Sequence, residues 1–568
     1  MKTLNRIMNL TLMVGALVIT SCDDDITERN INPNGVNLEE GNPSFLLTDV
    51  MVNTAMDVGQ KGYSDPLAAY VQYIQKDSWA TNDYNWEGDG WEDYYNNLRT
   101  AKLALERSQE SGLIFHEAVA MILRAHNFAL LTDFYGDVPY SEALRGADED
   151  GIDLPKYDSQ ESVYKGSIAD FEAASQMLSN NMGNLETFSA SQDIFFGGDA
   201  EKWVKYANSL ALRYYMRLSE KDPSFASAGV QSMLASPLID SVDEECAVSY
   251  LGISPSDSQP SNGLSGTPSN FTRVKPCTTL TYKLQELDDP RMSIWFDAVE
   301  IATTVVAPAD MPSGPSTFLE IVDGLRYINT DSLASKNLAI YSPDTWYADR
   351  EAGLTMIDTN SVYVGLPVSN QGTEPYTYNL NPSPVQGGGN IHVSLMNPMF
   401  NELSGPNLKA RLFSYAELCF LKAEAALKGW GTDAEGNYNK GVEASLETWG
   451  LEDEFADYID NEGVAYEGTL EQIMEQKWIA NFSSASEAYL DWRRTGLPDL
   501  EPGPFARSSV IPVRFVYPTE NSTLNGDNYY SALNNLEETE HTDDVPGYIQ
   551  NDTPWSKPWV LQGVDQPW

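Results

Sequence analysis

Apolar positions in the first half of the chain recur at three- and four-residue steps, the spacing that puts one helix face in a core. Ser44–Val58 carries Phe45, Leu46, Val50, Ala55 and Met56 in this way, and Trp91–Gln109 carries Leu98, Ala101 and Leu105. Ile114–Phe134 continues with Ala118, Ile122, Ala125 and Ala129, then meets Gly136 and Pro139, which predict a turn and a stop. Asp158 reads as the N-cap of a helix through Val163, Ile168, Phe171, Ala174 and Leu178. Asp199–Ser219 is another, with Trp203, Ala207, Leu210 and Leu218. The pattern then changes. Leu251–Lys275 and Val305–Asn407 are rich in Ser, Pro, Gly, Asn and Thr, with short β-prone pieces such as Ser361–Leu366. Long irregular stretches inside a folded protein are usually functional loops. Helical spacing returns in Leu408–Lys428, Tyr438–Trp449, Thr469–Phe482 and Ser484–Thr495, and the tail after Gly496 reads as irregular. The expectation is a mostly α protein whose helix pairs carry a large loop-rich region. Ala packed against Leu, Tyr and Trp is what stacked helix–turn–helix repeats use, although no clean repeat period emerges.

The N-terminus departs from this scheme. Lys2 and Arg6 precede an uncharged stretch, Leu10–Thr20, too short to span a bilayer as a stable helix. It ends in Ile19-Thr20-Ser21-Cys22, which resembles a bacterial lipobox with Cys22 as the acylated first mature residue. Asp23–Asp25 follows at once, resembling the surface-export signal of some Gram-negative lipoproteins. The expected organisation is therefore a signal peptide over 1–21, a lipidated tether over 22–40 and one domain over 41–568. Three cysteines remain, so at most one disulfide can form within the chain. An export route permits a Cys246–Cys277 bond, which the sequence leaves open. Cys419, in an apolar helical stretch, reads as a buried thiol.

Composition narrows the chemistry. Of 568 residues, 83 are Asp or Glu and 35 are Lys or Arg, a formal net charge of −48. Nucleic-acid binding needs clustered cations that release counterions, so that partner is excluded. Tyr (30) and Trp (13) outnumber Phe (19), which favours rings with both an apolar face and a polar handle. Such rings stack on the C–H faces of sugars, while Asn, Asp, Gln and Arg serve the hydroxyls. The best constellation of this kind runs from Trp79 to Trp91, where Trp79, Tyr84 and Trp86 alternate with Asn82, Asp83, Asn85 and Glu87. Its ring spacing is not helical, so a core stripe explains it poorly. Trp346 and Tyr347 form a second candidate platform, and Asn270–Arg273 a weaker third. The competing reading is that these rings anchor loops to the scaffold. No cofactor is expected: His116, His126, His392 and His541 show no ligand spacing. Asp83-x-Asn85-x-Glu87-Gly88 begins like a calcium loop but has Tyr94 where a bidentate Glu is needed. A structural calcium built from distant oxygens stays open. Motifs for a serine hydrolase, a zinc protease or a nucleotide-binding loop are absent.

Several segments together resemble the SusD/RagB family of nutrient-binding outer-membrane lipoproteins, in its SusD-like branch. They are Arg124–Phe128 with Asp133–Tyr140; Lys202-Trp203 with Ala207–Leu210 and Arg213; Asp289-Pro290-Arg291; and Tyr363–Pro367. Further on come Tyr415–Leu418 with Glu424–Ala426 and Gly429-Trp430, then Gln476–Ala480 with Glu487–Tyr489 and Asp491–Gly496. Pro518, Glu520 and Asn528–Tyr530 close the series. The resemblance covers nearly the whole mature chain. It implies tetratricopeptide-like helix pairs plus a loop-built region that holds the ligand. It also implies a non-catalytic protein, lipid-anchored at the cell surface, that captures a glycan or peptide and lids a TonB-dependent, SusC-like transporter. From other classes, a surface glycoside-active enzyme and a structural adhesin remain as alternatives. The matched residues read as mostly architectural: Trp478 and Trp492 as core, and Arg493 and Arg494 with Asp491 as a helix-end ion network.

Overall fold

A computed structural model describes residues 41–63, 66–76, 84, 90–148, 151–254, 257–260, 271–359, 362–369, 374–382, 390–564 and 566. The first half is a run of helices: α1 (Pro43–Tyr63), α2 (Glu92–Ser111), α3 (Ile114–Tyr135), α4 (Gln160–Asn181), α5 (Ala200–Arg217) and α6 (Pro223–Leu234). Each packs on the next. After the short α7 (Thr278–Glu286) and the loop-rich middle, α8 (Tyr415–Leu427), α9 (Ala434–Thr448), α10 (Leu470–Ala480) and α11 (Ala485–Thr495) complete the scaffold. α11 and α8 return onto α5, and α11 also meets α1, so both halves of the chain share one core.

The caps explain most helix ends. Asp199 accepts from the Glu201 and Lys202 amides at the start of α5, and Thr469 accepts from Gln472 N at the start of α10. α3 ends at Gly136, whose φ of 92° and ψ of −127° suit glycine alone. Two expectations need correction. The N-cap of α4 is Ser159, not Asp158; the Asp158 carboxylate instead accepts from the Tyr140 and Ser141 amides. Leu408–Phe413 is not helical either. Residues Lys409–Phe413 form a strand, paired antiparallel with Cys246–Ser249, and Ser414 caps α8 immediately afterwards. Leu412 therefore belongs to a sheet and not to the stripe of α8.

The segments that resemble a known family meet as buried ion pairs. Arg213 of α5 places its guanidinium on Glu417 of α8, with Nη2 2.6 Å from Oε2. Arg217 sits 2.7 Å from Glu487 of α11 and 3.3 Å from Asp133 of α3. Arg494 reaches Glu424 at 2.5 Å and Asp491 at 3.2 Å, and Lys477 reaches Asp491 at 2.7 Å. Burial alone would raise the Asp491 carboxyl, but Lys477, Arg494 and Arg217 bring it down to about 2. Arg291 and Asp289 pair with each other and are tied to α9 through Ser445. Trp478 and Trp492 are buried as expected.

The middle of the chain is built differently. A three-stranded sheet carries β1 (Ala302–Val306) beside β3 (Leu325–Asn329) in parallel, and β2 (Leu319–Val322) beside β3 antiparallel. Its apolar residues form two small clusters of their own: Ile328, Leu338 and Ile357, and a second around Cys277, Tyr341, Trp346, Leu366 and Tyr378. Cys246, Cys277 and Cys419 are all free and buried, so the Cys246–Cys277 bond left open by the sequence is not formed.

Candidate functional site

The structure brings the two aromatic candidates toward one strip of backbone, Asp499–Ser509, which the sequence did not single out. Tyr84, from the early loop, accepts from Gln72 Nε2 through its hydroxyl at 3.2 Å. The same Gln72 nitrogen donates to the carbonyl of Glu501 at 2.8 Å. Ser369 donates through Oγ to the Pro502 carbonyl. Gly503, at φ 81°, passes so close to Trp346 that a Cβ there would stand 3.0 Å from Cη2 of the indole and 2.9 Å from Val368 Cγ2. Only glycine allows that approach and that backbone. Two positions on, the ring of Phe505 lies under the Arg350 guanidinium, 4.9 Å from its centroid.

Next to this strip is a cavity of about 400 Å³. It is lined by Tyr347, by Gly503, Pro504 and Ala506–Ser509, and by Glu540, His541 and Asp544 from the tail. Tyr347 is half-buried, on the short helix Trp346–Glu351. Its hydroxyl pKa is raised by desolvation and by the Glu351 and Glu501 carboxylates, so it stays protonated and able to donate. His541 is oriented by Asp544, 3.0 Å from Nδ1. The wall thus offers one ring face, a guanidinium, two serine hydroxyls, an imidazole and carboxylates. That set suits a neutral, hydroxyl-rich ligand held by stacking and by hydrogen bonds in both directions.

The expected site residues fare unequally. Trp79, Asn82, Asp83 and Trp86 lie outside the described residues, as do Cys22, Asn85, Glu87 and Asn270. Tyr84 is 1% exposed, and its ring packs 5.4 Å from Tyr70. Trp346 is 9% exposed and stacks on Tyr341 at 6.3 Å. Both rings had been expected to present a face to ligand. In the structure they are packing residues: Tyr84 joins the main core beside Tyr70, and Trp346 is covered by the small apolar cluster of the middle region and the Gly503 turn. Trp91 is also buried, within 6 Å of Tyr95, Tyr135, Tyr157 and Tyr517. Phe271 packs against the main core. Of the expected rings that are described, Tyr347 alone borders this cavity. Arg507, Ser508, Ser509, His541 and Asp544 were missed. The available signal was Gly503-Pro504 followed by a polar Arg-Ser-Ser run, in a tail that reads as irregular.

Stacked helix pairs bearing an irregular, loop-walled cleft define the class: a helical-repeat scaffold that displays loops. The SusD-like family model, described as "Starch-binding associating with outer membrane", matches residues 34–312 and 363–518, and the chain belongs to that family. No curated protein matches the sequence. Among solved structures, a chitin-binding protein is similar at 23% identity and a TM-score of 0.66, covering 91% of this chain and 99% of its own. A SusD homologue from Bacteroides fragilis is similar at 21% identity and a TM-score of 0.64, covering 92% and 99%. A chitin-binding SusD homologue from Flavobacterium johnsoniae is similar at 18% identity and a TM-score of 0.65, covering 92% and 99%. These likenesses establish the fold. No helix among the described residues is long and apolar enough to cross a membrane.

Proposed function

We propose that this protein is a cell-surface lipoprotein that captures an oligosaccharide in the Tyr347 cleft and passes it to a TonB-dependent transporter, for which it acts as a lid. The observation that carries the reading is the cleft itself: a half-buried tyrosine ring beside Arg507, Ser508, Ser509 and His541, on loops that the helical scaffold holds in place. The family's printed description and the names of two chitin-binding relatives support a glycan as the ligand class. The donors and acceptors of the wall match ring hydroxyls, and the set needs no cofactor to bind. Trp79, Asn82, Asp83 and Trp86 belong to the same proposal as contacts from the early loop, because Tyr84 ties that loop, through Gln72, to the strip that walls the cleft.

The decisive experiment is calorimetric titration of maltooligosaccharides and chitooligosaccharides into the wild type and Arg507→Ala. Saturable binding to one series, weakened by the substitution, supports the reading. Binding to neither series, nor to a wider glycan array, removes it. Anchoring is tested separately: Cys22→Ala releases the protein from the outer membrane if Cys22 carries the lipid. A transporter partner should co-purify in mild detergent as a β-barrel protein of larger mass.

A further inference from the structure

A second cavity, an apolar groove of about 360 Å³, lies beside α1 and shares no lining residue with the Tyr347 cleft. It is lined by Val52 and Met56 of α1, by Ile194, and by Val248, Tyr250 and Leu251 at the end of the Cys246–Ser249 strand. Val52, Met56, Ile194 and Val248 are only partly buried, and Leu251 is 68% exposed. Phe45, in the first turn of α1, is 64% exposed. It stands seven residues before Val52 and eleven before Met56, spacings that put all three on one stripe of the helix. Covering such a stripe removes apolar surface from water, which is favourable.

The chain itself supplies a cover. Residues 22–40 lie outside the described residues, and the described chain begins at Gly41, which is buried, directly before α1. Upstream, Val36 and Leu38 flank Asn37 in a polar stretch, so an extended backbone turns both side chains the same way. From Asn42 back to Val36 is six residues, about 20 Å of extended chain. Val52 and Met56 stand about 15 Å and 21 Å from Asn42 along α1. The family match begins at Asn34, so Val36 and Leu38 fall within the matched region and not in the stretch before it.

We propose that residues 34–40 turn back along α1 and close this groove with Val36 and Leu38. The free tether is then 22–33, with a reach of about 40 Å, where the full 22–40 could extend beyond 60 Å. The docking does not rest on the glycan reading.

The test is maleimide labelling of Met56→Cys in the full chain in mild detergent, read at that residue by mass spectrometry. Cys246, Cys277 and Cys419 are buried and do not compete. Ala228→Cys, exposed on α6, is the reference. Met56→Cys should label more slowly than the reference, and adding Val36→Asp with Leu38→Asp should speed it about tenfold while the reference stays unchanged. Val52→Cys should behave in the same way. Labelling of Met56→Cys as fast as the reference shows an open groove and overturns the proposal. Slow labelling that the two aspartates leave unchanged overturns it too. Protection that disappears on dilution assigns the groove to a second copy of the chain, and is equally contrary.

Discussion

The helical scaffold and the loop-rich middle solve the same problem, the buried arginine, in opposite ways. In the scaffold, Arg213, Arg217 and Arg494 each meet carboxylates carried by other helices. In the middle, Arg326 is 1% exposed and meets only neutral acceptors among the described residues: Thr303 Oγ1 and the carbonyls of Asn379 and Leu380. Arg350 lies against the rings of Trp346 and Phe505. Charge pairs between helices fix how those helices stack, since a wrong register leaves a charge buried alone. Neutral contacts bind a loop to its neighbours without dictating which loop it must be. The scaffold therefore holds one geometry, while the middle region, which supplies Tyr347 to the cleft, can vary in its side chains.

The comparison can be broken most forcefully in the scaffold. Glu487 stands between Arg213 and Arg217, 3.4 Å and 2.7 Å away. Glu487→Ala leaves Arg213 with Glu417 and Arg217 with Asp133 but removes the carboxylate they share, so the buried cluster gains an uncompensated positive charge, which should cost about 3–5 kcal/mol in denaturant unfolding. A loss within the range of an exposed ion pair, below about 1 kcal/mol, would show that the network is not what holds the helices. In the middle region, Trp346→Ala empties a small cluster and should cost about 3 kcal/mol locally. Hydrogen exchange should then speed up over 338–369 while α3, α5 and α11 keep their protection. Uniform loss of protection would contradict the separation between the two regions.

The third prediction is a pH profile. His126, buried between α3 and α5, is lowered to about 3 by desolvation and by Arg213 beside it. The unfolded chain takes up that proton below about 6.5, and the folded chain does not until about 3. Stability contributed by the neutral ring is therefore complete above the unfolded value and is lost as pH falls, by at most about 1.4 kcal/mol per pH unit. The Asp491 carboxyl, at about 2, adds a further loss only below the ordinary Asp range. Replacing the ring by His126→Gln should flatten the decline between neutrality and pH ~4. An unchanged slope of Tm against pH would assign that decline to other groups.

What was legible in the chain follows the same division. Scaffold helices announced themselves through Asp199, Thr469 and Gly496, and through apolar steps long enough to average out irregularities. Lys409–Phe413 was misread because Leu412, Tyr415 and Cys419 happen to keep helical spacing across a strand, a cap and a helix. The β1–β3 sheet was not singled out, since five-residue pieces such as Ala302–Val306 carry too few periods to stand out among Pro and Gly. At the site, ring-bearing segments were visible but ring exposure was not. Trp346 and Tyr347 are neighbours in sequence, and which of them faces the cavity depends on Gly503, more than 150 residues away. The tail residues Arg507 and His541 join the cleft only through tertiary contact, which no local pattern records.

The central claim is that the scaffold holds and the Tyr347 cleft binds. Isothermal titration and thermal melting of Tyr347→Ala, with the oligosaccharide that the wild type recognises, address it most directly. Truncating an aromatic contact at the centre of a binding site typically costs on the order of 2 kcal/mol, about thirtyfold in affinity. The account predicts that loss with Tm little changed, because the ring is half-buried at a cavity wall and packs only against the edge of the small Trp346 cluster, outside the main core. Unchanged affinity, or a fall in Tm large enough to explain the loss, would contradict it.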